Sequence, residues 1–311
     1  MPKPKVLVIV GPTASGKSGL AIRLAKRFNG EVISADSRQV YRGLEIGSGR
    51  LEVREMRGIK HHLLGIVSPK KVFSVSDFQK LATKKIEEIL KRGSSRHGRG
   101  KLPIICGGTG FYIQSIVDGI ILPEVKPNLK LRKELEKLSV KELFEKLKVL
   151  DPARAKNIDA NNPRRLIRAI EIATKLGKVP KLQHTKNYRG DTSVRVDFIQ
   201  IGIKVTDEIL RKKINQRLAR WFKQGLLNEV KKLRKQKISF KRIKEFGLEY
   251  FYVAEFLEGK ISKQEMIMKS QTAIYQYAKR QMTWFKRDKR INWIPAGKSA
   301  IVDALGFIVQ W

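Results

Sequence analysis

The segment Gly11-Pro-Thr-Ala-Ser-Gly16-Lys17-Ser18 constrains this chain more than any other. It has the form G-x-x-x-x-G-K-[ST], in which glycines let a loop wrap phosphate oxygens with its backbone N–H groups. The pattern works only between a strand and a helix, and both flanks comply. Val6–Val10 is a continuous apolar run of strand length, and Ser18–Phe28 places Leu20, Leu24 and Phe28 along one side of a helix. The helix N-terminus adds its dipole, and Lys17 supplies a point charge. The Ser18 hydroxyl is an oxygen ligand of the kind Mg²⁺ takes. Gly11, Pro12, Thr13, Ala14, Ser15, Gly16, Lys17 and Ser18 are therefore a candidate polyphosphate cradle. The loop leaves open which polyphosphate it holds.

A second short apolar run, Val32–Ala35, ends at Asp36. In open α/β sheets the ligand sits beyond the carboxyl ends of the strands. A carboxylate there accepts a proton from a nucleophile or holds Mg²⁺ through water. Asp also commonly closes turns, and position alone leaves both uses open. Val75–Leu90 carries a helical stripe of Phe78, Leu81, Ile86 and Ile89, and Leu102–Cys106 reads as a strand entering Gly-Gly-Thr-Gly. Strands alternating with helices imply a parallel α/β sheet. The chain turns polar and Pro-rich near Pro123, then reads as helices from Leu129 to Leu176. Asp151-Pro152 and Asn162-Pro163 mark helix starts, because Pro suits the first helical turn. Val194–Ile203 returns to strand, and the remainder is mostly helical. The expected organisation is an α/β core over 1–122, a mostly helical insertion over 123–193, and a second core segment with basic helices over 194–311. The polar loop Arg92–Lys101 is a candidate phosphate-contacting finger.

Charge narrows the partners. Lys plus Arg number 66 against 29 acids, a net charge of +37. A solubilising surface is one explanation and a polyanionic ligand another. The excess is clustered: Arg211–Arg242 holds 13 basic residues against Glu229 alone, and Lys279–Arg290 holds six against Asp288. Clustering over several segments favours nucleic acid over a small anion. The single cysteine, Cys106, excludes an intrachain disulfide framework and a multi-Cys zinc site. It reads as a small core residue, and His61 and His62 read as structural. Tyr277, Trp284 and Phe285 are expected to pack in the core rather than stack on bases. The apolar runs are too short to span a bilayer, so no membrane partner and a cytoplasmic location are expected.

Eight motifs recur in order along nearly the whole chain: GPTASGKS at Gly11–Ser18, SADSRQVYRGLEIGS at Ser34–Ser48, HHL at His61–Leu63, FSVSDF at Phe73–Phe78, GGTGFYI at Gly107–Ile113, LDPARA at Leu150–Ala155, NNPRRLIRAIE at Asn161–Glu171 and YAKRQMTWF at Tyr277–Phe285. The chain resembles the tRNA dimethylallyltransferase family, bacterial type. The resemblance implies a P-loop kinase-like core with a helical insertion that grips the anticodon stem-loop. It implies transfer of the dimethylallyl group of dimethylallyl diphosphate to the exocyclic amine of the adenosine just 3′ of the anticodon; a monomer is expected, with Mg²⁺ at the Ser18 of the loop motif. Asp36 is then the expected base, Thr13 assists the bridging oxygen, and Arg217 clamps the diphosphate held by Gly11–Ser18. The matching RNA-contact positions are Asp36, Ser37, Arg38, Gln39, Thr109, Arg132, Arg164, Arg165, Arg168, Lys244 and Gly247. Two stretches depart from the family pattern. Glu45-Ile-Gly-Ser-Gly-Arg-Leu51 stands where Asp-Ile-Gly-Thr-Ala-Lys-Pro is usual, and Gly247-Leu248-Glu249-Tyr250 stands where Gly-Tyr-Lys-Glu is usual.

Without the resemblance, the loop and Asp36 fit a small-metabolite kinase equally well. An adenylate isopentenyltransferase shares the chemistry on a free nucleotide, and an RNA-binding protein without activity accounts for the charge. The Arg-rich insertion and basic helices are superfluous for a small acceptor, and mere RNA binding leaves the phosphate loop without a purpose.

Overall fold

The computed structural model describes residues 3–93, 100–181, 183–184 and 196–311. Of the polar loop Arg92–Lys101, residues 94–99 lie outside the described residues, as does the expected boundary at 193. The chain divides into two compact units, one of residues up to Gly119 and from Lys186 onward, the other of Ile120–Thr185.

The larger unit begins with β1 (Lys5–Val10), α1 (Lys17–Arg27), β2 (Gly30–Ala35), β3 (His61–His62), α2 (Val75–Gly93), β4 (Leu102–Gly107) and α3 (Gly110–Val117). The smaller unit holds β5 (Ile120–Ile121), α4 (Leu129–Leu135), α5 (Val140–Leu150), α6 (Pro152–Ala155), α7 (Pro163–Leu176) and β6 (Gln183–His184). The larger unit resumes with β7 (Asp197–Lys204), α8 (Asp207–Gln224), α9 (Leu226–Lys235), α10 (Phe240–Glu245), α11 (Leu248–Leu257), α12 (Lys263–Phe285), β8 (Ile291–Pro295) and α13 (Ala300–Gln310).

Six strands form one parallel sheet in the order β3-β2-β4-β1-β7-β8. Its central strands are apolar on both faces because both faces are covered. Val6, Val8, Val10, Ile33 and Ile105 face Phe78, Ile86 and Ile89 of α2 and Tyr112 and Ile113 of α3. Leu7, Ile9, Val32, Ile104 and Cys106 face Leu20 and Leu24 of α1 and Ile308 of α13. Cys106 is thus a core residue, and burial pushes its thiol up to about 11. Five helices, α8 to α12, share a third core with Val40, Tyr41 and Leu44. The segment after Thr206 is mostly helical, as expected, and β8 adds an edge strand beside β7 that the sequence reading did not single out.

The smaller unit packs α4, α5, α6 and α7 around Leu135, Leu143, Leu147, Leu166 and Ile170. Its helix starts follow the sequence signals. Pro152 and Pro163 open α6 and α7, and the side chains of Asp151 and Asn162 accept hydrogen bonds from the backbone N–H groups of Arg154 and Arg165. Ser139 and Glu142 make a reciprocal capping box at α5.

Candidate active site

The site lies where β1, β2 and β4 end, and each strand hands over to a segment of special geometry. After β1, the loop Gly11–Ser18 turns into α1 through Gly16, which caps the helix with φ 93°. That left-handed conformation is open to glycine at little cost. Ser15 N–H donates to the Pro12 carbonyl at 3.2 Å, as does Lys17 Nζ at 3.2 Å. After β4, Gly107 passes so close to β2 that a Cβ there would lie 2.1 Å from the Ala35 carbonyl oxygen. The turn Gly108–Gly110 is held by Gln281 of α12. Its Nε2 donates to the Gly108 carbonyl at 2.8 Å, and its Oε1 accepts from Thr13 N–H at 2.8 Å. One amide therefore fixes two of the three strand-end loops against each other.

After β2, Asp36 Oδ1 accepts from Arg38 N–H at 2.9 Å and from Gln39 N–H at 3.4 Å. Thr109 Oγ1 accepts from Ser37 N–H at 3.1 Å. Gln39 Nε2 donates to the carbonyls of Ser48 and Gly49. That neighbouring segment is organised by Glu229, whose carboxylate accepts from the backbone N–H groups of Glu45, Ile46 and Gly47 and from the Tyr250 hydroxyl at 2.7–3.1 Å. The one acid of the basic run Arg211–Arg242 is therefore buried and structural.

Thr13, Lys17, Asp36, Arg38 and Arg217 line a single cavity, together with Ser48, Trp221, Glu249, Tyr277 and Gln281. Arg217 of α8 donates to Thr13 Oγ1, and its guanidinium stands 4.7 Å from the Trp221 ring centre. Burial pushes Arg217 down to about 10, which leaves it cationic at neutral pH. Burial likewise lowers Lys17, against the raising influence of Cys106 and Asp36. Arg38 Nη1 pairs with Glu249 Oε1 at 3.1 Å and lies 5.5 Å from the Tyr277 ring centre. Burial opposes the charge of Arg38, yet Glu249 and Asp36 hold it above its ordinary value. Burial drives Glu249 upward, and Arg38 and Arg217 oppose that shift.

The remaining candidate residues fall into two groups. In the smaller unit, Arg164 and Arg165 stand exposed on the first turn of α7. Arg132 and Arg168 are engaged: Arg132 grips the buried Glu171 with Nε at 2.8 Å and Nη2 at 2.6 Å, and Arg168 pairs with it at 3.4 Å. In the larger unit, Lys244 bonds to Glu255 and Glu258, and Gly247 caps α11 with φ 84°. His62 is structural, with Nε2 at 2.7 Å from Glu31, which Arg92 and Lys101 also bind. Trp284 and Phe285 pack against the sheet as expected, whereas Tyr277 lines the cavity instead.

Sequence reasoning missed Gln281 as a cavity residue, and placed Glu249 only within an RNA-contact stretch, Lys244–Glu249, that the family resemblance implies. Gln281 lies inside a quoted motif, YAKRQMTWF, so its signal was present but unassigned.

Comparisons with known proteins identify the family. A profile of the IPP transferase family matches residues 39–288. A curated tRNA dimethylallyltransferase from Anoxybacillus flavithermus is 41% identical over 300 residues, covering 96% of this chain and 93% of its own length. One from Acetivibrio thermocellus is 42% identical over 293 residues, covering 93% and 91%. The solved full-length tRNA isopentenylpyrophosphate transferase of Bacillus halodurans matches with a TM-score of 0.72 at 36% identity, covering 99% of this chain and 96% of that one. A solved eukaryotic dimethylallyltransferase acting on tRNA matches at 0.75 and 26% identity, covering 99% and 80%. The chain belongs to the IPP transferase family.

Proposed function

We propose that this chain transfers the dimethylallyl group of dimethylallyl diphosphate to the exocyclic amine of the adenosine just 3′ of the anticodon of tRNA. The observation that carries this reading is one cavity holding the Asp36 carboxylate beside Lys17 and the Thr13–Arg217 pair.

The chemistry asks for these groups. The adenine amine is a weak nucleophile because its lone pair is delocalised into the ring. As its nitrogen bonds to the allylic carbon, the carbon–oxygen bond breaks and its electron pair leaves with the diphosphate. Asp36 takes the amine proton. The loop amides, Lys17 and Arg217 stabilise the charge on the leaving group. The Thr13 hydroxyl oxygen accepts from Arg217, so its own hydrogen is free to donate toward the bridging oxygen. Oxygen donors beside the cradle suit Mg²⁺: Ser18 stands in the first turn of α1, and the Ser15 hydroxyl is buried in the loop with no hydrogen-bond partner among the described residues. Ser18 would hold the ion, which supplies charge neutralisation at the diphosphate when bound.

The target base leaves its stack to enter the cavity. Arg38, Ser37, Gln39 and Thr109 form the segment that receives it. Arg164 and Arg165 on α7, and the basic surface of α8 to α10, meet the phosphates of the anticodon arm. With tRNA as acceptor, the enzyme works in the cytoplasm.

Labelled dimethylallyl diphosphate offered with tRNA, with AMP and with neither tests the reading. Label on tRNA alone, with diphosphate released, is the expected result. Label on AMP in preference to tRNA would make the chain a free-nucleotide prenyltransferase and overturn the assignment.

A further inference from the structure

Glu249 is the one acid besides Asp36 in the cavity lining among the described residues. Its side chain is 2% exposed. Oε1 is fixed by Arg38 at 3.1 Å, whereas Oε2 is buried with no hydrogen-bond partner among the described residues. A carboxylate oxygen left unpaired in a protein interior is costly unless a ligand supplies a donor. Of the two reaction partners, the diphosphate brings only acceptor oxygens and is repelled by a carboxylate. It is served by Lys17 and Arg217. The adenine amine brings two N–H donors. Asp36 consumes one of them, and the other stays on nitrogen throughout the reaction.

We propose that Glu249 is a positioning residue for the acceptor amine: its Oε2 takes the hydrogen bond of the N–H that is not removed, while Asp36 takes the proton that is. With one hydrogen pinned on each side, the amine cannot rotate, and its lone pair stays directed at the allylic carbon. Arg38 links the two carboxylates, through its backbone N–H to Asp36 Oδ1 and its guanidinium to Glu249 Oε1. The inference rests on the reading of a tRNA adenosine as acceptor.

The test is a binding cycle on the full chain. Anticodon stem-loops carrying either adenosine or purine riboside (the same ring without the amine) at the target position are titrated against wild type, Glu249→Met and Glu249→Gln. Methionine keeps the length and removes the acceptor, and glutamine keeps one acceptor oxygen. In wild type the adenosine loop binds more tightly than the purine loop. A hydrogen bond to a charged acceptor makes the contribution of Glu249 to that ratio about tenfold or more. The ratio therefore falls about tenfold in Glu249→Met and is partly restored in Glu249→Gln. A counter-ion role for Arg38 alone would weaken both loops equally, and an unchanged ratio in Glu249→Met overturns the proposal. The underlying reading fails differently: wild type would put no prenyl group on tRNA.

Discussion

Asp36 meets two demands with one side chain. Its Oδ1 closes the turn after β2 by accepting two backbone N–H bonds, and the same residue lines the cavity. The two uses that position alone left open are therefore compatible. Arg217 is the other residue that acts through geometry more than charge, since it is stacked on Trp221 and bonded to Thr13 at once. Lysine cannot reproduce a planar fork of this kind. Arg217→Lys is expected to raise KM for dimethylallyl diphosphate about tenfold, as steady-state kinetics will show. Cys106 makes a contrasting case. Burial pushes its thiol up to about 11, so below that pH it stays protonated in the folded protein. Iodoacetamide at pH 8 should leave Cys106 unmodified in the native chain and alkylate it fully in denaturant, read by mass spectrometry. Both residues were legible in the sequence, Cys106 from its apolar run and Arg217 only through the family resemblance. Glu249 was not, because its meaning depends on the fold bringing residue 249 to residue 38.

At the scale of elements, the smaller unit turns on Glu171. This carboxylate on α7 is 1% exposed, takes a two-point grip from Arg132 at the end of α4 and accepts from Asn128 N–H at the start of the same helix. Burial raises its pKa, but Arg132 and the Asn128 N–H outweigh burial and hold it below the ordinary 4.5. A depressed folded-state pKa means the stabilisation is present above the unfolded value and lost as pH falls through the folded one. The unit should therefore loosen as pH drops below about 4.5, and Glu171→Gln should remove that part of the acid dependence. At neutral pH, Glu171→Ala is expected to cost about 2 kcal/mol, since the partly exposed arginines regain water. Thermal melts across pH check both statements. The sequence showed α7 and its Pro163 start but not this tie, which joins residues 39–43 positions apart. It also missed β8: Ile291–Pro295 is a five-residue edge strand that follows a basic run and is too short to show a periodic pattern. The central strands were legible because burial on both faces leaves an uninterrupted apolar run.

For the whole molecule, the charge of +37 is an argument about association rather than fold. The buried acids Glu31, Asp151, Glu171, Glu229 and Glu249 make internal contacts, several of them to arginine or lysine, so they do little to offset the exposed positive charge. No helix among the described residues is long and apolar enough to cross a membrane. Binding of tRNA should weaken steeply with salt. The double variant Arg164→Ala, Arg165→Ala should flatten the log–log slope by about 1–2 without altering KM for dimethylallyl diphosphate. An unchanged slope would remove these arginines from the RNA interface. In the proposed reaction the glycine loop holds the leaving group while Asp36 takes the amine proton. The most direct test is single-turnover prenyl transfer to tRNA by Asp36→Asn, with the Kd of dimethylallyl diphosphate measured on the same protein. Transfer should slow about 10²–10⁴-fold with diphosphate affinity nearly unchanged; transfer at the wild-type rate would remove Asp36 from the role of base.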